Sequence, residues 1–144
     1  MKKLLPLLLL ALLISSCGKK ESATLKVYNT EAFAYEIGDG SYELNSTTQV
    51  KGFKQNENGQ QFTASLAYQV DLVKPNGEVV KGVVSKTEKK VEKEKMSDTQ
   101  LEAQFDIDST YTAGTYKLIF RVRDMLSEQA DSSSAEFKIG EEDM

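Results

Sequence analysis

Reactive chemistry in this 144-residue chain must come from carboxylates, hydroxyls and tyrosines, because it has no histidine and one cysteine, Cys17. Without histidine, the commonest general acid–base and the commonest zinc ligand are both missing. A lone cysteine excludes an intramolecular disulfide and a thiolate metal cluster. The carboxylates worth weighing are Asp106, Asp108, Asp124 and Asp131. Asp106 and Asp108 share one face near the end of an alternating stretch, and Asp124 ends the next. Calcium takes roughly six to eight oxygens, several of them loop carboxylates. The chain lacks an Asp-x-Asn-Asp-Asn motif or a glycine-punctuated loop, so these acids read as solvent-facing strand ends, and no metal is expected. Glycosidase-type carboxylate pairs need a cleft and one raised pKa, and nothing in the sequence announces either. There is no Gly-x-Ser-x-Gly elbow and no phosphate-cradling glycine loop, and Gly38-Asp39-Gly40 is a turn. The expectation is a protein without catalysis and without a cofactor.

Aromatic side chains offer binding instead. Tyr28, Phe33, Tyr35, Tyr42 and Phe53 cluster in the first third of the chain. Burial preference places such residues in a core or against a sheet face. Were they exposed, Tyr35 and Tyr42 would be the contacts for a glycan or protein partner. Asp108-Ser109-Thr110 reads as a turn. It also resembles the sequon at which Bacteroidota O-glycosylate exported proteins, a resemblance that would make Ser109 the acceptor.

The elements that must position these groups are strands. From Thr24 onward the apolar period is two. Leu25 and Val27 open the series, then Phe33, Tyr35 and Ile37 alternate up to the glycine turn; Tyr42, Leu44, Val50 and Phe53 follow less regularly. The cleanest run is Phe62 to Leu72, with an apolar residue at every second position. Pro75-Asn76-Gly77-Glu78 then signals a hairpin, its Asn-Gly pair tolerating positive φ, with Val79, Val80, Val83 and Val84 on the return. Leu101 to Ile107, Tyr116 to Val122 and Ala135 to Ile139 alternate again. Lys86 to Lys95 is a charge run that as a helix would offer Glu/Lys pairs three and four apart. It is read as a solvated edge strand, which would discourage aggregation, or a protruding loop.

About seven short strands with Gly, Asn and Asp turns read as a single antiparallel β-sandwich, with a small up-and-down barrel as the alternative. Gly114-Thr115-Tyr116, leading into alternating apolar residues, resembles the penultimate strand of immunoglobulin-like and fibronectin-like domains. That resemblance implies a tyrosine corner, filled by Tyr116 or Tyr111. The cysteines and tryptophan of antibody domains are missing, so the antibody family proper is not implied.

The N-terminus carries an address. Lys2 and Lys3 precede an apolar run, Leu4 to Ile14, too short to span a bilayer and of signal-peptide length. Ile14-Ser15-Ser16-Cys17 resembles the lipobox of bacterial lipoproteins, which implies cleavage before Cys17, a diacylglycerol group on its thiol and an acyl chain such as palmitate on its freed α-amino group. Cys17-Gly18-Lys19-Lys20-Glu21 resembles the mature start of Bacteroidota lipoproteins, many of which reach the outer membrane. The expected organisation is a signal peptide over 1–16, a lipidated start and short tether over 17–23, a sandwich over 24–140 and an acidic tail over 141–144. Two of the 18 basic residues leave with the signal, so 16 bases against 22 acids give the mature chain a formal charge of −6. Such a domain is repelled by phosphate, which disfavours nucleic acid. The expected role is a non-enzymatic binding or assembly module of the cell envelope, anchored by its lipid and meeting an envelope protein or glycan. A lipocalin-like carrier of a small apolar ligand and a passive envelope component are the alternatives.

Overall fold

Period-two alternation becomes eight strands in the computed structural model, which describes residues 23–140. The signal segment, Cys17, the tether up to residue 22 and the tail from 141 to 144 lie outside the described residues. The strands are β1 (Lys26–Gly38), β2 (Ser41–Lys51), β3 (Asn56–Asn58), β4 (Gln61–Val73), β5 (Val79–Glu92), β6 (Asp98–Ile107), β7 (Gly114–Asp124) and β8 (Ala130–Ile139). Seven are long; β3 is a three-residue ladder that extends the approach to β4.

They form two antiparallel sheets. One has the order β1-β2-β6; the other runs β5-β4-β7-β8, with β3 beside the start of β4. This is an immunoglobulin-like sandwich and not a closed barrel. At one open edge, the β1 end of the first sheet meets β8 through side chains. The Leu25 N–H donates to Gln129 Oε1 at 2.9 Å and the Val27 N–H to Asp131 Oδ2 at 2.8 Å. At the other edge Tyr68 of β4 donates its hydroxyl to the Glu102 carbonyl of β6 at 2.7 Å.

The space between the sheets is filled by the inward set of each strand, including Leu44, Leu66, Val70, Leu101, Leu118 and Phe120, all fully buried. Burial of each such side chain contributes about 1.5–3 kcal/mol. Tyr116 supplies the corner: its ring stacks on Phe137, and its hydroxyl donates to the Thr112 carbonyl at 2.6 Å. Tyr111 packs against that ring at an angle. The hairpin between β4 and β5 differs in detail from a two-residue Asn-Gly turn. Among its residues Gly77 alone has positive φ, and the Gly77 N–H donates to the Lys74 carbonyl, making a three-residue loop with glycine in the left-handed position. The charge run divides: Lys86 to Glu92 lies in edge strand β5, and the remainder forms the bend into β6.

Candidate functional site

Strand β1 changes face halfway along. Leu25 and Val27 point into the sandwich, and unbroken alternation would send Phe33, Tyr35 and Ile37 after them. A bulge between Tyr28 and Glu31, with Asn29 at φ 49°, inserts one residue and reverses the phase. Beyond it Ala32 and Ala34 pack against the core, while Phe33, Tyr35 and Ile37 stand outward, 53%, 57% and 55% exposed.

The bulge is held by β2. Thr48, completely buried on the inward face, donates its hydroxyl to the Tyr28 carbonyl at 3.2 Å. The Thr30 hydroxyl lies 2.8 Å from the Thr48 oxygen, which leaves Thr30 as the donor of that pair. At the outer rim Tyr28 donates to Asp98 at 3.4 Å, with Lys51 above its ring. Burial first, then the charge and hydrogen bond of Asp98, push the Tyr28 phenol up from its ordinary value.

Register carries the outward stripe onto a polar ladder. Phe33 pairs with Asn45 and Tyr35 with Glu43, and these pair in turn with Gln104 and Asp106 of β6. Asn45 donates to Glu43 at 2.9 Å, Gln49 to Gln100 at 2.9 Å, and Gln100 to Glu102 at 3.0 Å. A shallow depression of about 260 Å³ lies between Phe33, Asn45, Thr47, Glu102 and Gln104. Successive outward side chains on a strand stand roughly 7 Å apart, so the stripe covers about 14 Å. From Glu31 to Val50 and from Thr99 to Ala113 the chain has no lysine or arginine. Glu31, Glu43, Glu102 and Asp106 make this face acidic. It offers ring and aliphatic surface, amide donors, carboxylate acceptors and negative charge.

Tyr35 and Tyr42 therefore part company. Tyr35 stands in the stripe; Tyr42 faces inward against the core, and its hydroxyl accepts the Gly140 N–H at 3.1 Å. Phe53 is buried. Ser109 is exposed in the turn after β6, beside Gly40.

The four aspartates are not brought together. Asp106 and Asp108 sit at the end of the sandwich where β1 turns into β2, Asp124 and Asp131 at the opposite end. Asp108 lies past the strand, not on one face with Asp106, and closes its own turn. The hydroxyl and amide of Thr110 donate to it and hold its carboxyl below the usual range. Asp124, fully buried, accepts from the Lys54 N–H at 2.7 Å, the Leu126 N–H at 2.9 Å and the Ser127 hydroxyl at 2.7 Å. It is the organiser of two loops. Among the described residues no group of three or more His, Cys, Asp or Glu side chains is placed to hold a metal ion.

The outer face of the other sheet has a wider trough of about 610 Å³, with Ala67, Gln69 and Ser132 between Arg121 and Arg123. Both arginines are engaged there, Arg121 by Asp71 at 2.7 Å and Arg123 by Glu128 at 3.4 Å. Asp71 also accepts from the Gly82 N–H and the Gln69 amide, both at 2.9 Å. Burial pushes the Asp71 carboxyl up, but these hydrogen bonds and the Arg121 charge outweigh it and hold it below the ordinary value.

No protein-family model matches the sequence, and no curated protein matches it. Among solved structures the chain is similar to a calcium-binding mutant of Bacteroides uniformis beta-glucuronidase 2. The TM-score is 0.51 at 10% identity over 76% of this chain and 13% of that one. The same enzyme bound to cyclophellitol-6-carboxylate aziridine gives 0.49 at 13% identity, again over 76% and 13%. The ApaA protein of Bordetella pertussis gives 0.43 at 12% identity over 81% and 93%. The chain spans 13% of the length of the glucuronidase structures. At 10% identity the first likeness is one of fold: the chain is a β-sandwich domain.

Proposed function

We propose that the mature protein is a lipid-anchored module of the bacterial cell envelope, in the outer membrane, which binds a partner without catalysis through the outward face of β1, β2 and β6. The observation that carries this reading is the exposed Phe33–Tyr35–Ile37 stripe, turned outward by a bulge that a buried threonine holds in place. Apolar side chains left in water at regular spacing on a filled sandwich are the mark of a contact surface. The anchoring rests on the lipobox-like Ile14-Ser15-Ser16-Cys17, with the lipid on Cys17. The described chain begins at the end of β1 opposite the stripe, so a tether there would hold the stripe about 25–35 Å further out. That arrangement suits a face presented to a neighbour in the envelope.

The test uses the lipidated protein in its native membrane, cross-linked in place. Wild type should yield a reproducible cross-linked neighbour that disappears in the triple variant Phe33→Thr/Tyr35→Thr/Ile37→Thr. Retention of the same neighbours by that variant would sink the proposed face. Cys17→Ser should release the protein from the membrane fraction, and firm retention of that variant would sink the anchor.

A further inference from the structure

We infer that the second half of β1, Glu31 to Gly38, accepts an extended segment of a basic partner protein as an added strand, with arginine or lysine and apolar side chains lying over the stripe. This deepens the binding reading above and rests on it.

The first support is an edge left open. β1 is the last strand of its sheet. Its first half is capped, because the outward N–H groups of Leu25 and Val27 are taken by Gln129 and Asp131. Beyond the bulge, residues 31–38 pair in the sheet with β2 alone, while β8 runs alongside β1. Proteins protect an exposed edge with lysines, prolines, bulges or short strands. Edge strand β5 has two of these, the lysines Lys81, Lys86, Lys89 and Lys90 and a bulge opposite Asp71 at Gly82. The second half of β1 has neither lysine nor proline; apart from a register shift between Glu36 and Gly38 at its tip, it exposes three large apolar side chains. An edge of this kind is the template for strand addition, in which main-chain hydrogen bonds give affinity and alternate side chains give specificity.

The second support is charge. The two stretches around the stripe, 31–50 and 99–113, contain acids and no base, with Lys26 and Lys51 at the foot of the face, while β5 on the other sheet is rich in lysine. A strand added at β1 would lie about 4.8 Å from it, with its outward residues beside Phe33, Tyr35 and Ile37. An arginine there can lay its stem and guanidinium over the Tyr35 ring and reach Glu43, the cross-strand neighbour of Tyr35. A second copy of the same face would set carboxylates against carboxylates, and an acidic partner would do the same. Complementarity therefore selects a basic, apolar segment.

The experiment uses the lipidated protein in nanodiscs and a capped heptapeptide, Thr-Arg-Thr-Val-Thr-Arg-Thr, with two controls. One control has glutamate in place of both arginines; the other is N-methylated on alternate amides, so that it cannot pair as a strand. The arginine peptide should bind, slow amide exchange over residues 31–38, and weaken as salt rises. Its affinity should fall at least tenfold on N-methylation, in the glutamate version, and in the Phe33→Thr/Tyr35→Thr/Ile37→Thr variant, whose folding is checked by its melting curve. No binding by the arginine peptide at millimolar concentration overturns the inference, and so does equal binding by the glutamate peptide. Indifference to N-methylation overturns strand addition while leaving the face as a binding surface, provided the triple variant still loses affinity. Indifference to the triple variant overturns both. Self-association of the protein through these residues, seen by sedimentation, would replace the basic partner with a second copy.

Discussion

The hydroxyls of Thr30 and Thr48 lie 2.8 Å apart, and this pair decides which way Phe33 faces. Thr48 also donates to the Tyr28 carbonyl, so one buried hydroxyl closes the bulge from inside the sandwich. Thr48→Val keeps the shape and removes the donor, leaving a carbonyl and the Thr30 hydroxyl without that partner. The expected loss is about 1–2 kcal/mol in urea unfolding, with Thr48→Ser close to wild type. Amide chemical shifts of residues 28–35 should move in the valine variant. Unmoved shifts would mean that the latch does not hold the bulge.

Outward and inward apolar residues should respond differently to truncation. Phe33→Thr, Tyr35→Thr and Ile37→Thr act on exposed groups and should each change stability by no more than about 0.5 kcal/mol. Phe120→Ala, in the filled core, should cost about 3–5 kcal/mol. Equilibrium denaturation of the four variants distinguishes them, and a large loss at Tyr35 would place that ring in the core.

Acid stability should depend on Asp71. Its carboxyl titrates below the ordinary 3.8 in the folded protein, so its contribution is present above that pH and drains away as pH falls through the folded value. Arg121→Gln removes one hydrogen bond and the charge, moving the folded value back up. The variant should be less stable than wild type at neutral pH, and the gap should close below pH 3.8. A gap independent of pH would show that Arg121 acts through packing alone.

Alkaline stability should depend on Tyr68. Burial first, then the charge of nearby Glu88, push its phenol far up, so the folded state favours the protonated form. The contribution is complete below the ordinary value of 10.0 and is lost as pH rises beyond it. Tyr68→Phe should cost about 0.5–1.5 kcal/mol at neutral pH, through the lost bond to the Glu102 carbonyl, and should lose less than wild type in alkali. Melting curves on either side of pH 10 provide the comparison.

Strands β4, β7 and β8 are legible in the sequence because each has one face in the core and a parity that never slips. Tyr116 is legible for the same reason, with its glycine two residues before. The facing of β1 is not. Leu25, Val27, Phe33, Tyr35 and Ile37 all stand at odd positions and read as one inward set, and a single inserted residue near Asn29 reverses the later three. A one-residue slip leaves the alternation on either side intact, so periodicity carries no trace of it. The available signal was Thr48, a hydroxyl at an inward position of β2 that needed a partner. Tyr35 and Tyr42 share a residue type and a neighbourhood, and only the register of the bulge separates the outward ring from the inward one. Asp124 shows the converse. Its place at a strand end suggested an exposed acid, but three donors from two loops converge on it, and those loops are distant in sequence.

The entry of the chain into the sandwich has a mechanical consequence. The Thr24 carbonyl passes so close to Gly52 that a Cβ there would fall 2.0 Å from it, and the next residues are pinned by Gln129 and Asp131. Tension between an anchor at the N-terminus and a load on Phe33 to Ile37 would run along β1 itself, from foot to tip, and bypass the rest of the domain. The covalent backbone of β1 would then carry the force, and the ladder to β2 would be left largely unloaded.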